Sequence, residues 1–180
     1  MNPNPPIDNA LRVALVTGST SGIGAAIART LSRAGYAVVL HSRNSADTGR
    51  AMAAEMKQAI YVQADLAVEA DRVRLVKEAI AAWGQLDVLV NNAGISRVIP
   101  HSDLASATSA VSLGPDIRVN AVAPGLVDTP LTAEWTAAQK LWRDRAPMRR
   151  AASPDDIAKA AAAAAVSTQF KKPRHGGRLH

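Results

Sequence analysis

Four short apolar runs punctuate the first half of this chain, each followed by a longer helix-forming stretch, and that alternation limits the possible folds more than any other feature. The runs "RVALVTG" (12–18), "YAVVLHS" (36–42), "AIYVQAD" (59–65) and "LDVLVNN" (86–92) read as strands. Their apolar residues are almost continuous instead of alternating, as expected for parallel strands covered on both faces. Helical stretches lie between them at 22–34, 45–56 and 68–83. The third carries Val73, Val76 and Ile80 at helical spacing, and Gly84 follows as a C-cap. Such alternation makes right-handed βαβ units and a doubly wound parallel sheet, an α/β fold of three αβα layers.

The second half continues the pattern after a gap. "IRVNAVA" (117–123) reads as a strand, and 132–146 and 153–166 as helices. The last has a strong start: Ser153 can cap it, Pro154 suits its first position, and Asp155 and Asp156 favour its positive end. At 180 residues the chain fits one domain, expected over 11–166, with a flexible leader at 1–10 and a basic, disordered tail at 167–180. The leader has neither a basic start nor an apolar block, and nothing approaches the roughly 18 apolar residues of a membrane span. The absence of cysteine excludes disulfides, thiolate metal sites and a cysteine nucleophile, and a cytoplasmic location is the default. Of the net charge of +6, four charges come from Lys171, Lys172, Arg174 and Arg178 in the tail. With 3% aromatic residues there is little to stack on bases, so specific nucleic-acid binding is not expected.

Chemistry concentrates where the first strand meets the first helix. "TGSTSGIG" sets Gly18, Gly22 and Gly24 in that turn. A pyrophosphate needs close backbone approach and N–H groups aimed at it from a helix N-terminus, and glycines there provide both. Glycines also make ordinary tight turns, but a βαβ setting favours phosphate. At the end of the second strand an acidic residue would bond a ribose and disfavour a 2′-phosphate. Here Ser42 and Arg43 stand instead, which points to NADP rather than NAD unless Arg43 is simply an exposed loop residue. Asp65 ends the third strand, where it could accept a bond from an adenine amino group or serve the turn.

Together, "TGSTSGIG", "NNAG" and "IRVNAVAPGLVDTP" make the chain resemble the short-chain dehydrogenase/reductase family over residues 11–94 and 117–157. The resemblance implies a Rossmann-like fold and an NAD(P)(H)-dependent oxidoreductase acting on a small-molecule carbonyl or alcohol. It implies that Gly18, Ser19, Gly22, Ile23 and Gly24 cradle the pyrophosphate, Arg43 selects the 2′-phosphate, and Asp65 and Leu66 flank the adenine. Asn91, Ala93 and Gly94 would sit beside the ribose, with Asn91 also steadying the sheet. Pro124, Gly125, Val127 and Thr129 would line the nicotinamide, and substrate contacts would fall around Leu131 to Trp142.

One departure bears on every functional reading. Only 22 residues join "NNAG" to "IRVNAVAPG". In the family that interval holds a long helix, a strand with a serine, and a second long helix that starts with Tyr-x-x-x-Lys, needing roughly 50–70 residues. About one strand and two helices are therefore missing after strand four, and the join can supply at most a short helix near 103–112. The only tyrosines are Tyr36 and Tyr61, followed four residues later by Leu40 and Asp65. No catalytic residue and no metal ligand can be assigned. "HSD" at 101–103 has triad residue types, but three adjacent residues cannot converge on one atom. The missing helices also form the family's main oligomer interface, so that assembly is not expected. Three functions stay open: a catalytically impaired oxidoreductase, a non-catalytic NADP-binding remnant or truncated product, and a basic-tailed interaction protein.

Overall fold

The computed structural model describes residues 11–94, 122 and 124–166. In chain order its elements are β1 (Val13–Val16), α1 (Gly22–Arg33), β2 (Ala37–Ser42), α2 (Ala46–Ala54), β3 (Ala59–Gln63), α3 (Glu69–Trp83), β4 (Val88–Val90), α4 (Thr136–Arg145) and α5 (Pro154–Val166). The four strands form one parallel sheet in the order β3-β2-β1-β4. The chain thus winds outward from β1 in one direction and then crosses back to β4, and the point of reversal lies beyond the C-terminal ends of β1 and β4.

Both faces of the sheet are covered, as the uninterrupted apolar strands require. On one face Ala14, Val16, Val38 and Leu40 pack with Ala25, Ile27, Ala28 and Leu31 of α1, Met52 of α2 and Ala158 of α5. On the other, Val13, Leu15, Val39 and Val62 pack with Leu75 and Ala79 of α3. This is the expected three-layer αβα arrangement, with four strands among the described residues. The alanine run of α5 has a packing purpose: Ala158, Ala161, Ala162 and Ala165 lie on the first cluster, where small side chains let helices approach closely. In α2, Gly49 is required by its neighbour, because a Cβ there would overlap the ring of Tyr61.

The end signals fall as expected. Gly84 caps α3 in the left-handed region at φ +80. Asp156 N–H donates to Ser153 Oγ at 3.2 Å, while Ser153 N–H donates to Asp156 Oδ2 at 2.9 Å, a reciprocal capping box at the start of α5. One expectation changes. The helix predicted from 132 begins at Thr136, because Thr132 turns the preceding loop: its N–H donates to Thr129 O and its hydroxyl to Val127 O. On α3, Leu75 and Ala79 meet the sheet, whereas Val73, Val76 and Ile80 stay 37–47% exposed. The leader, the helix near 103–112, the tail and all but Val122 of the strand at 117–123 lie outside the described residues. No helix among the described residues is long and apolar enough to cross a membrane.

Candidate nucleotide site

The glycine turn is fixed from three sides. Thr17, just past β1, donates its hydroxyl to Val90 O at 3.2 Å and accepts the N–H groups of Asn92 and Ala93, both at 3.0 Å. The Asn92 amide donates to the carbonyls of Thr17 and Gly18, again at 3.0 Å each. Each glycine answers a different constraint. Gly18 has φ +62, and a Cβ would lie 2.9 Å from Ala93 Cα. Gly22 has φ +52 and rests against Thr129, whose Cγ2 would be 3.5 Å from a Cβ. At Gly24 a Cβ would overlap the Gly18 carbonyl and the Asn92 amide. The turn therefore presses close against the first turn of α1, with Ile23 half-buried beside the core.

The N-terminus of α1 is chemically open. Ser21 occupies the cap position without a side-chain hydrogen bond, and the first turn holds no acidic residue. First-turn N–H groups have no partner within a helix, so they remain available together with the positive end of the helix dipole. By contrast α2, α3 and α5 each carry an aspartate or glutamate in the first turn. Thr20 and Ser21 sit at the turn without a side-chain partner among the described residues. The glycine-centred sequence reading passed over both hydroxyls, although "STS" between the glycines is their signal.

Two residues lie elsewhere than the resemblance implies. Ser19 does not face an open cradle: it is fully buried, its N–H donates to His41 O at 2.9 Å, and its Oγ accepts His41 N–H at 2.8 Å. Those bonds tie the turn to β2. The sheet-steadying role expected of Asn91 belongs to Asn92, while Asn91 is exposed at the end of β4.

His41 was not singled out from the sequence and proves to be the clamp on the turn. Its Nδ1 accepts the Gly18 N–H at 3.1 Å, which assigns the proton to Nε2 and makes that atom the donor to Ala64 O at 3.0 Å. Burial lowers its pKa from the ordinary 6.5, outweighing the opposing effect of the Ala64 carbonyl. A neutral ring in the fold and a more basic one in the unfolded chain fix the sign. The stabilisation is complete above pH 6.5 and is lost as pH falls from there through the folded pKa. Thermal midpoints should therefore drop between pH 7 and 5, and His41→Gln should flatten that slope. An unchanged slope in the variant would assign the effect to other groups.

The remaining residues are placed as follows. Ser42 is buried, with its hydroxyl 2.8 Å from Tyr61 Oη and accepting Ser45 N–H at 3.1 Å, so it is not free for a ligand. Arg43 is exposed at the end of β2, and its guanidinium has no partner among the described residues; its carbonyl accepts Gln63 Nε2. Asp65 serves the turn into α3, its Oδ1 accepting Ala67 N–H at 2.9 Å, while Leu66 packs on the second core cluster. Ala93 and Gly94 follow Asn92 in exposed backbone. Val127 is buried and forms a parallel bridge with Ala152, so it supports the segment from inside. Thr129 is held by Thr132 Oγ1, which accepts its N–H at 3.0 Å. Pro124 is exposed, and the Trp142 indole covers Gly125 so closely that a Cβ there would lie 2.5 Å from the ring.

Known proteins resemble this chain in sequence and in fold. The sequence model of short chain dehydrogenase matches residues 12–111, and that of enoyl-(acyl carrier protein) reductase matches residues 103–169. A ketoacyl reductase of the granaticin polyketide synthase of Streptomyces violaceoruber is 35% identical over 216 positions, which take 82% of this chain and 87% of the relative. Since 82% of 180 residues is about 148, roughly 68 of those 216 positions face no residue of this chain. The cis-4-hydroxycyclohexanecarboxylate dehydrogenase of Sinomonas cyclohexanicum is 31% identical over 85% of this chain and 88% of its own length. Among solved structures, a 3-ketoacyl-(acyl-carrier-protein) reductase of Brucella melitensis complexed with NADH is 27% identical, with a TM-score of 0.72 over 84% of this chain and 89% of that one. A short chain dehydrogenase of Burkholderia cenocepacia in complex with NADP gives 26% and 0.70 over 86% and 90%. With a family model spanning more than half of its residues and a relative matched over most of its length, the chain belongs to the short-chain dehydrogenase/reductase family and is by family an NAD(P)(H)-dependent oxidoreductase.

Proposed function

We propose that this chain binds NADP(H) at the turn between β1 and α1 and, as it stands, does not complete the family's reaction. The observation that carries the binding half is the uncapped, acid-free start of α1 beside Gly18, Gly22 and Gly24. Pyrophosphate oxygens suit that start, with Thr20 and Ser21 as hydroxyl donors. The free guanidinium of Arg43 supports a 2′-phosphate over a bare ribose. Asn91, Ala93 and Gly94 are the candidates beside the ribose, Asp65 Oδ2 and Leu66 beside the adenine, and Pro124, Gly125 and Thr129 near the nicotinamide. When bound, the nicotinamide supplies or accepts a hydride at a carbonyl or carbinol carbon, and a proton must then move at the oxygen.

No described residue is suited to move that proton. Tyr36 is 2% exposed, with its hydroxyl buried and its ring under Arg12 at 4.4 Å. Tyr61 is bonded to Ser42, and His41 is neutral and enclosed. The roughly 68 unmatched positions in the ketoacyl reductase alignment are more than enough to hold the tyrosine, lysine and serine. The same interval would remove the family's assembly helices. Residues 11–166 are read as one nucleotide-binding unit, at home in the cytoplasm as a cysteine-free chain.

The test is thermal unfolding with NADPH and with NADH. At 100 times the dissociation constant NADPH should stabilise by about 2.7 kcal/mol, or roughly 5–10 °C for this size. Arg43→Gln should shrink that shift and leave the NADH shift unchanged. A larger shift with NADH in the wild type would overturn the 2′-phosphate assignment, and no shift with either would overturn the site.

A further inference from the structure

We propose that the cavity between α4 and the start of α5 binds a small organic anion, a carboxylate or a phosphate monoester, through Arg143 and Arg150. The cavity is open to solvent on one side, has a volume of about 300 Å³ and is lined by Asp128, Gln139, Arg143, Arg150 and residues 151–153. That volume is at the lower end of small-molecule pockets, enough for a compact ligand and not for a dinucleotide.

Arg150 is built for this purpose. Both N–H groups of Nη1 are used internally, one to Asp156 Oδ2 at 2.8 Å and one to Ala151 O at 3.0 Å. The planar guanidinium is thereby fixed, and its three N–H groups on Nη2 and Nε have no partner among the described residues. An anchored fork with free donors loses little entropy when it takes a bidentate anion. The anchor is itself anchored, because Asp156 is the return residue of the capping box with Ser153. The bonds from Arg150 and Ser153 hold the Asp156 carboxyl well below the usual carboxylate range, so the clamp persists through neutral and mildly acidic pH. The fold of α5 thus positions a guanidinium at the mouth of a cavity that α5 does not otherwise use.

Arg143 reaches the same cavity from the last turn of α4, and its guanidinium has no partner among the described residues. Against these two cations stand Asp156, already bound, and Asp128, whose carboxylate has no partner among the described residues. Asp128 opposes an anion and gives the proposal a signed test. It also locates the cavity: Asp128 precedes Thr129, which lies against Gly22 of the glycine turn. Since about 300 Å³ is too small for a dinucleotide, the anion is assigned to the substrate and not to the nucleotide, a step that rests on the proposed function.

The experiment is unfolding of the full chain at constant ionic strength in acetate or inorganic phosphate against chloride, with and without saturating NADPH. Phosphate, acetate or both should raise the midpoint over chloride, whether or not NADPH is present; which one does so identifies the anion's source. Arg143→Gln, which leaves the Arg150–Asp156 clamp intact, should weaken the effect about tenfold or more. Asp128→Asn should strengthen it. An unchanged effect in Arg143→Gln, no effect over chloride, or displacement by NADPH would overturn the proposal. An anion effect that persists in a chain unresponsive to NADPH would keep the site and overturn the nucleotide reading instead.

Discussion

Gly24→Ala should destabilise the chain by about 3 kcal/mol and abolish its response to NADPH. Alanine in a helix interior is normally better than glycine by roughly 0.5–1 kcal/mol. Here the new methyl would occupy the space of the Gly18 carbonyl and the Asn92 amide. Neither can move freely: Gly18 is held at φ +62 by the His41 bond, and Asn92 is committed to two carbonyls. Overpacking against fixed groups costs about 1–3 kcal/mol, and this site lies at the upper end because both obstacles are polar and bonded. A loss of that size lowers the midpoint by roughly 6–12 °C in a chain of this length. The turn would then separate from α1, and the open N–H groups would lose their common aim. Gly94→Ala is the control, since its Cβ would meet nothing nearer than Asn92 O at 3.9 Å. Equal midpoints for the two variants would contradict the packing assigned to the turn.

Most of the fold was legible because it rests on local and periodic signals. Uninterrupted apolar runs mark the four strands among the described residues, and each of these lies inside its predicted run. Glycine, serine and proline marked the ends of α3 and α5. The start of α4 was missed because Thr132 has helix-compatible neighbours but spends its hydroxyl on Val127 O, a contact that periodicity does not reveal. On α3, spacing alone does not say which stripe is buried. Val73, Val76 and Ile80 have the spacing of a core stripe, yet the sheet selects the stripe holding Leu75 and Ala79.

Within the candidate site, glycine positions were readable because close approach and positive φ leave few alternatives. Roles that depend on which way a side chain turns at a strand end were not. Asn91 and Asn92 are adjacent and identical in type, and strand geometry sends them to opposite sides, so only the second reaches the Gly18 carbonyl. The family resemblance implies a place for Ser19 in the phosphate cradle, whereas its bonds to His41 turn it inward. His41 itself sits in an apolar run and acts on a residue 23 positions away. Nothing local marks a histidine as a clamp.

Inserting the corresponding stretch of the ketoacyl reductase between Gly94 and Ile117 should raise NADPH-dependent ketone reduction by a factor of about 10⁴ or more. A positioned proton donor is worth about 10²–10⁴ in rate, and an oxyanion donor a further 10²–10³. The 180-residue chain retains the residues proposed to hold the nucleotide, so the gain should fall on kcat and leave the NADPH-induced stabilisation nearly unchanged. That split separates a missing proton donor from a missing binding site. Replacing the introduced tyrosine by phenylalanine should remove the gain while keeping the fold. Equal turnover before and after the insertion would show that the proton comes from a residue already present, and the impairment proposed for this chain would be wrong. A stabilisation that appears only after insertion would mean that the chain without it does not hold the nucleotide. In that case the 22-residue join, and not the absent tyrosine, would be the first cause of inactivity.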